Sequence, residues 1–167
     1  MLSLDTLITS YGGSGLNMLV AYAGQYINVR NKLWDVCLCH SMFVLMDLPT
    51  LVIVARPEDA FLSMQQRGIA ELNAYKITAE HGSLAKAMEG YILAWTQRAE
   101  ASLVDETQPP VRIVKYEHLW EYKKEVCSYL NIPSEQFPKY IPRSSRGQFH
   151  PDLSAANMLY AELPPWR

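Results

Sequence analysis

The chain has 167 residues, 49% hydrophobic and 19% charged, a balance that fits one globular domain and excludes a disordered or fibrous chain. Fifteen Lys and Arg against seventeen Asp and Glu leave a formal net charge of −2, so no broad basic surface for nucleic acid or an anionic membrane is expected, and any anion must be held at a local site. No stretch approaches the ~18 apolar residues needed to cross a bilayer, and Asp5, Thr9 and Ser10 interrupt the first apolar run before it could act as a signal peptide. The sequence therefore reads as soluble and cytoplasmic.

In chain order, residues 2–8 form a short apolar strand that ends at Ser10-Tyr11-Gly12-Gly13-Ser14-Gly15, a glycine-rich turn. Leu16, Leu19, Val20, Ala23 and Ile27 then recur at helical spacing, so a helix is expected over 16–29. A second short strand is expected at 36–40. Residues 51–55, LVIVA, have no polar alternation, as befits a central parallel strand covered on both faces. Pro57, Glu58 and Asp59 suit the first turn of a helix running to residue 67.

Residues 83–103 carry the stripe Leu84, Ala87, Met88, Tyr91, Trp95 and Ala99 of a long amphipathic helix, with Trp95 as core. After Pro109-Pro110, residues 111–114 read as a strand and 119–130 as a helix ending near Asn131 and Pro133. Past Pro138 the pattern becomes irregular, and 138–167 reads as a flap over a site or a surface arm of the single domain 1–167. Strands alternating with helices predict an α/β fold, a three-layer sandwich with a mostly parallel central sheet, whose ligands bind beyond the carboxyl ends of the strands. Cys37, Cys39 and Cys127, an odd count with no C-x-x-C pair, read as reduced thiols packed as small hydrophobes.

A glycine-rich turn opening into a helix offers backbone N–H groups and a favourable dipole to an anion. The nucleotide triphosphatase pattern G-x-x-x-x-G-K-[ST] is absent, because no Lys-Ser or Lys-Thr follows Gly15, which disfavours an ATPase, a GTPase or a P-loop small-molecule kinase.

Six segments along the chain resemble the sulfotransferase family, whose members transfer a sulfuryl group from 3′-phosphoadenosine 5′-phosphosulfate and leave adenosine 3′,5′-bisphosphate. The turn from Ser10 to Leu19 is similar to the family's first motif, so the resemblance implies that Gly12, Gly13, Ser14, Gly15, Leu16 and Asn17 cradle the 5′-phosphosulfate. LVIVARPEDAFLS is similar to the motif that grips the 3′-phosphate, which implies that role for Arg56 and Ser63, although the two are seven residues apart here and usually eight in the family. Arg suits the task through its rigid fork and Ser through a directional donor. Cys39-His40-Ser41 stands where many members carry a histidine that takes the acceptor's proton, making His40 the implied general base.

Residues 113–119, IVKYEHL, resemble the strand and R/K-Y-E-D-L motif that brings Tyr116 near the adenine. The helix end at 125–133 resembles a structural segment of the family. Arg146-Gly147 resembles the loop that closes over the 3′-phosphate. The resemblance spans residues 4–147 and implies a P-loop NTPase-like, sulfotransferase-like fold, no metal, and a small-molecule or glycan acceptor. For this family the chain is short, so its acceptor pocket would be open or completed by a second subunit of a homo-oligomer.

The main departure is Gly13, where the family carries Lys or Arg to neutralise charge on the leaving phosphate, a contribution of ~10²–10³ in rate. Leu16 and Asn17 likewise replace small hydroxyl residues. Three alternatives stay open: a cation such as Lys115, Arg143 or Arg146 substitutes; the donor or acceptor differs; or the chain is a non-catalytic nucleotide- or anion-binding module on the same fold.

Overall fold

The computed structural model describes residues 5–10, 16–30, 48–66, 82–140, 142–143 and 146–167. Among these residues four parallel strands form one sheet in the order β2-β1-β3-β4: β1 is Thr6–Thr9, β2 Val29–Arg30, β3 Thr50–Val54 and β4 Val111–Lys115. Five helices accompany them, α1 at Leu16–Ala23, α2 at Pro57–Gln66, α3 at Leu84–Val104, α4 at Lys123–Leu130 and α5 at Ser154–Glu162. Ile8 lies opposite Leu51, and Val54 opposite Lys115. All five residues of β3 are buried. Since neighbouring residues of a strand point to opposite faces, both faces of the sheet must be covered, as the unbroken run LVIVA predicts.

The cover divides into two groups of helices. α1 packs through Tyr22, whose hydroxyl donates to Pro133 O at 2.6 Å and whose ring meets Phe137 edge-on at 5.6 Å. α3 packs on β4 and α5, and Tyr91 on α3 shares a buried hydrogen bond with Thr9 Oγ1 at 3.0 Å. Right-handed crossovers leaving β1 and β3 in opposite directions put α1 on one face and α2 and α3 on the other. The α/β architecture with a parallel sheet is thus as the alternation of strands and helices predicts.

Most elements fall where the pattern puts them. The predicted stripe of α3, from Leu84 to Ala99, is buried throughout, and Ser83 caps the helix by accepting from Lys86 N at 3.1 Å. Cys127 is a buried thiol pushed up to about 11 by burial, consistent with the role of a small hydrophobe. The predicted strand at 36–40, with Cys37, Cys39 and His40, lies outside the described residues.

Three elements differ. The helix expected over 16–29 stops at Ala23, and Val29–Arg30 instead pairs with β1. Gly24 weakens continuation of the helix, and Asp5 collects the far side of the turn: Asn28 Nδ2 donates to Oδ1 and Arg30 Nε to Oδ2 at 2.8 Å. The helix expected from 119 begins only at Lys123, after a 3-10 turn at Tyr116–His118.

The tail expected to be irregular forms a 3-10 turn at Pro151–Leu153 and then α5, with Leu153, Ala156 and Leu163 buried. Beyond α5 the backbone runs antiparallel to β4: Ile113 and Arg167 exchange N–H···O bonds at 3.0 and 2.9 Å, and Lys115 N donates to Pro165 O at 3.0 Å. That pairing satisfies backbone groups that an exposed sheet edge would leave open.

At the opposite end of the sheet, the Tyr129 hydroxyl lies 2.7 Å from Pro110 O and 3.1 Å from Thr50 O, joining the starts of β3 and β4. Burial pushes its pKa up to about 12 from an ordinary 10. A raised folded-state value stabilises the fold fully below the ordinary value and is lost as the pH climbs through the raised one. Stability is therefore expected to fall between about pH 10 and 12 by an amount on the order of 2 kcal/mol from this group, and thermal melts of Tyr129→Phe should show a shallower decline over that window than wild type.

Candidate functional site

The strand order gives the direction in which each connection leaves the sheet. From β1 the chain moves through α1 to β2 on one side, whereas from β3 it moves through α2 and α3 to β4 on the other. By the general rule for open α/β sheets, this divergence marks the carboxyl ends of β1 and β3 as the place where a ligand would bind. One wall begins at Ser10, which is 4% exposed at the end of β1. The other begins at Ala55 and Arg56, after β3.

Of the residues expected to form the phosphosulfate cradle, Leu16 and Asn17 are described and Gly12, Gly13, Ser14 and Gly15 lie outside the described residues. Leu16 is a core residue at the first turn of α1, and Asn17 beside it is exposed. His40, the expected general base, also lies outside the described residues.

At the other wall, segments far apart in the chain meet. Arg56 Nε donates to Asp59 Oδ2 at 3.2 Å, and Nη2 donates both to Asp59 Oδ1 at 2.8 Å and to Gly147 O at 2.9 Å. Asp59 Oδ1 also accepts from Gly147 N at 2.7 Å. The carboxylate is 6% exposed and the guanidinium side chain 40%. Hydrogen bonding to Asp59 is the main cause that holds the Arg56 pKa above its ordinary value. Three of the five guanidinium donors are thereby used. Nη1 makes no hydrogen bond with any described residue, so its two N–H groups remain to meet an anion.

Gly147 fits because it lacks a side chain: a Cβ there would stand 2.0 Å from Glu58 O and 2.3 Å from its carbonyl carbon. Arg146, immediately before it, is exposed. Ser63 is half-buried on α2, seven residues past Arg56 and so roughly 10 Å further along the helix axis on the same face.

A second set of contacts backs this wall. Glu117 Oε1 accepts from the backbone N of Arg56 at 3.2 Å, and its Oε2 accepts from the Tyr160 hydroxyl of α5. Asn157 Nδ2, one turn earlier on α5, donates to Glu58 Oε1 at 2.6 Å. Lys115 Nζ lies 4.4 Å from the centre of the Tyr160 ring, a cation–π contact. Burial lowers the pKa of Lys115 and raises that of Tyr160, the latter reinforced by its bond to Glu117.

Tyr116 is 8% exposed. Its ring meets Trp120 edge-on at 5.4 Å and carries the Arg143 guanidinium at 4.7 Å. An adenine stacked on that face would have to displace Arg143, so Tyr116 acts in this conformation as the buried support of a cation. Among the described residues, no group of three or more His, Cys, Asp or Glu could hold a metal ion. No helix among them is long and apolar enough to cross a membrane.

The structure thus brings Arg56 together with the Arg146-Gly147 segment, while Tyr116 is turned into the core. Asp59, Glu117, Asn157 and Tyr160 are not among the residues that the sequence resemblance assigns to the site. Of these, Asp59, three residues after Arg56 on the first turn of α2, and Glu117, inside IVKYEHL, carry a local signal. No protein-family model, curated protein or solved structure matches the chain.

Proposed function

We propose that the chain is a cytoplasmic sulfotransferase-type domain that binds 3′-phosphoadenosine 5′-phosphosulfate in the crevice outside β1 and β3 and passes its sulfuryl group to a hydroxyl or amine of a small molecule or glycan. The contact between Arg56 and Gly147 carries this reading. The resemblance implies that both serve the same 3′-phosphate through motifs 91 positions apart, and they are joined by a direct bond of 2.9 Å. In the reaction, the acceptor oxygen or nitrogen forms a bond to sulfur as the bond from sulfur to the 5′-phosphate oxygen breaks. Adenosine 3′,5′-bisphosphate leaves, and the acceptor's proton passes to His40. No step needs a metal, and the fold would be of the P-loop NTPase-like kind.

A binding module without catalysis is the second reading, favoured by Gly13 in place of the cation that usually neutralises the leaving group. One series tests both: calorimetry with the bisphosphate and with ATP and Mg²⁺, and turnover with the phosphosulfate over a panel of hydroxyl and amine acceptors. Tighter binding of the bisphosphate than of ATP is expected, together with sulfuryl transfer that disappears in His40→Ala. Bisphosphate preference without transfer would select the binding module. Tighter binding of ATP with Mg²⁺ would overturn the sulfotransferase reading.

A further inference from the structure

We propose that Asp59 is the positioning residue of the 3′-phosphate site, an inference that rests on the reading above. A free arginine side chain presents five donors in many orientations, and a phosphate that recruits it must first freeze several rotatable bonds. Here that ordering is built in. Asp59 meets the guanidinium along its Nε–Nη2 edge at 3.2 and 2.8 Å, the bidentate arrangement that fixes both the plane and the direction of the fork.

The geometry also decides which edge is offered. With Nε and Nη2 taken by Asp59 and Gly147 O, only Nη1 is left without a hydrogen-bond partner among the described residues. The same Asp59 oxygen holds Gly147 N at 2.7 Å, so one carboxylate sets both the orientation of Arg56 and the position of the backbone that carries exposed Arg146. Two cations from distant parts of the chain are in this way registered against each other by an acid that need not touch the ligand.

An anionic residue beside an anion site would by charge alone oppose binding, and Glu58 and Glu117 add to that opposition: Glu58 Oε2 is 3.9 Å from Arg56 Nε, and Glu117 binds the Arg56 backbone. Asp59 is nevertheless nearly fully buried and turned to the inner edge of the guanidinium, so the outer edge keeps its donors. Placement outweighs repulsion, because the ordered fork replaces entropy that the ligand would otherwise have to remove.

Asp59→Asn separates positioning from bulk structure when two ligands are compared, adenosine 3′,5′-bisphosphate and adenosine 5′-monophosphate. Wild type is expected to prefer the bisphosphate. In the variant that preference should shrink roughly ten- to hundredfold, the scale of a lost charge-assisted bond, while affinity for the monophosphate stays within about twofold. Equal weakening of both ligands, or a preference that survives intact, would overturn the proposal and leave the functional reading standing. A wild-type chain with no preference for the bisphosphate would instead remove that reading, and this inference with it.

Should Asp59→Asn fail to fold, wild-type chain with ¹⁵N-labelled arginine answers the same question. On adding the bisphosphate, the Arg56 Nη resonances should move while its Nε resonance stays in place. Movement of Nε to the position of a solvated guanidinium would mean that phosphate displaces Asp59, which contradicts a positioning role.

Discussion

Replacing Arg56 by alanine should weaken adenosine 3′,5′-bisphosphate binding by roughly ten- to hundredfold and destabilise the fold in the same step. The first effect follows from the loss of the two Nη1 donors that no described residue engages, since hydrogen bonds to charged partners contribute ~1.5–3 kcal/mol. The second follows from what remains behind. Asp59, 6% exposed, would keep Gly147 N as its partner but lose both guanidinium bonds, and an under-satisfied buried acceptor costs about 1–3 kcal/mol, more when it is charged. Arg56→Lys should restore part of the affinity and little of the stability, because an ammonium cannot span both carboxylate oxygens and Gly147 O at once. Calorimetry and urea unfolding of the two variants read the effects separately. Unchanged bisphosphate affinity in Arg56→Ala would remove the 3′-phosphate assignment.

Gly147→Ala is expected to be the most disruptive change of a single methyl group in the described chain. The added carbon would sit 2.0 Å from Glu58 O and 2.9 Å from Asp59 N, all backbone atoms of the first turn of α2, and no side-chain rotation can relieve that overlap. Either α2 shifts or the segment at 146–150 lifts away, and overpacking of this kind costs ~1–3 kcal/mol or more. Lifting also breaks the bonds of Gly147 to Asp59 and Arg56, so loss of stability should come with faster protease cleavage near Arg146 and weaker bisphosphate binding. A variant as stable as wild type, with equal affinity, would show that the contact has no energetic part in the site.

Much of the scaffold is legible in the sequence because it depends on local periodicity. The six stripe residues of α3 are buried, and LVIVA lies in the sheet interior because no residue in it could face water cheaply. β2 is different: Val29 and Arg30 have no pattern of their own and become a strand only by pairing with β1, with Asp5 holding Asn28 and Arg30 in place. α5 and its two flanking residues do carry a helical stripe, Leu153, Ala156, Leu159, Tyr160 and Leu163, but prolines at 151, 164 and 165 mask it as a loop-like tail.

The site was legible to a smaller degree. Arg56 stands out at the end of an apolar strand, and Gly147 beside a lone Arg in an irregular stretch is visible once a motif is sought. Their partnership is not visible, since it depends on a carboxylate binding a backbone N–H 88 positions away. Tyr116 shows the converse. Its place just after β4 makes it look available to a ligand, and only the three-dimensional path of the segment carrying Arg143 covers it.

The all-parallel sheet also constrains how the chain reaches this arrangement. Leu7 pairs with Thr50, and Thr50 with Val111, so those contacts close long loops whose entropy is lost before any ladder bond is gained. No hairpin offers a short route among the described strands, which makes the 21-residue α3 the largest piece of structure that can form from local contacts alone. Early docking of α3 against β4, with β1 arriving afterwards, is the assembly order that this topology favours, and its many non-local contacts assign the domain to the slower folders of its size.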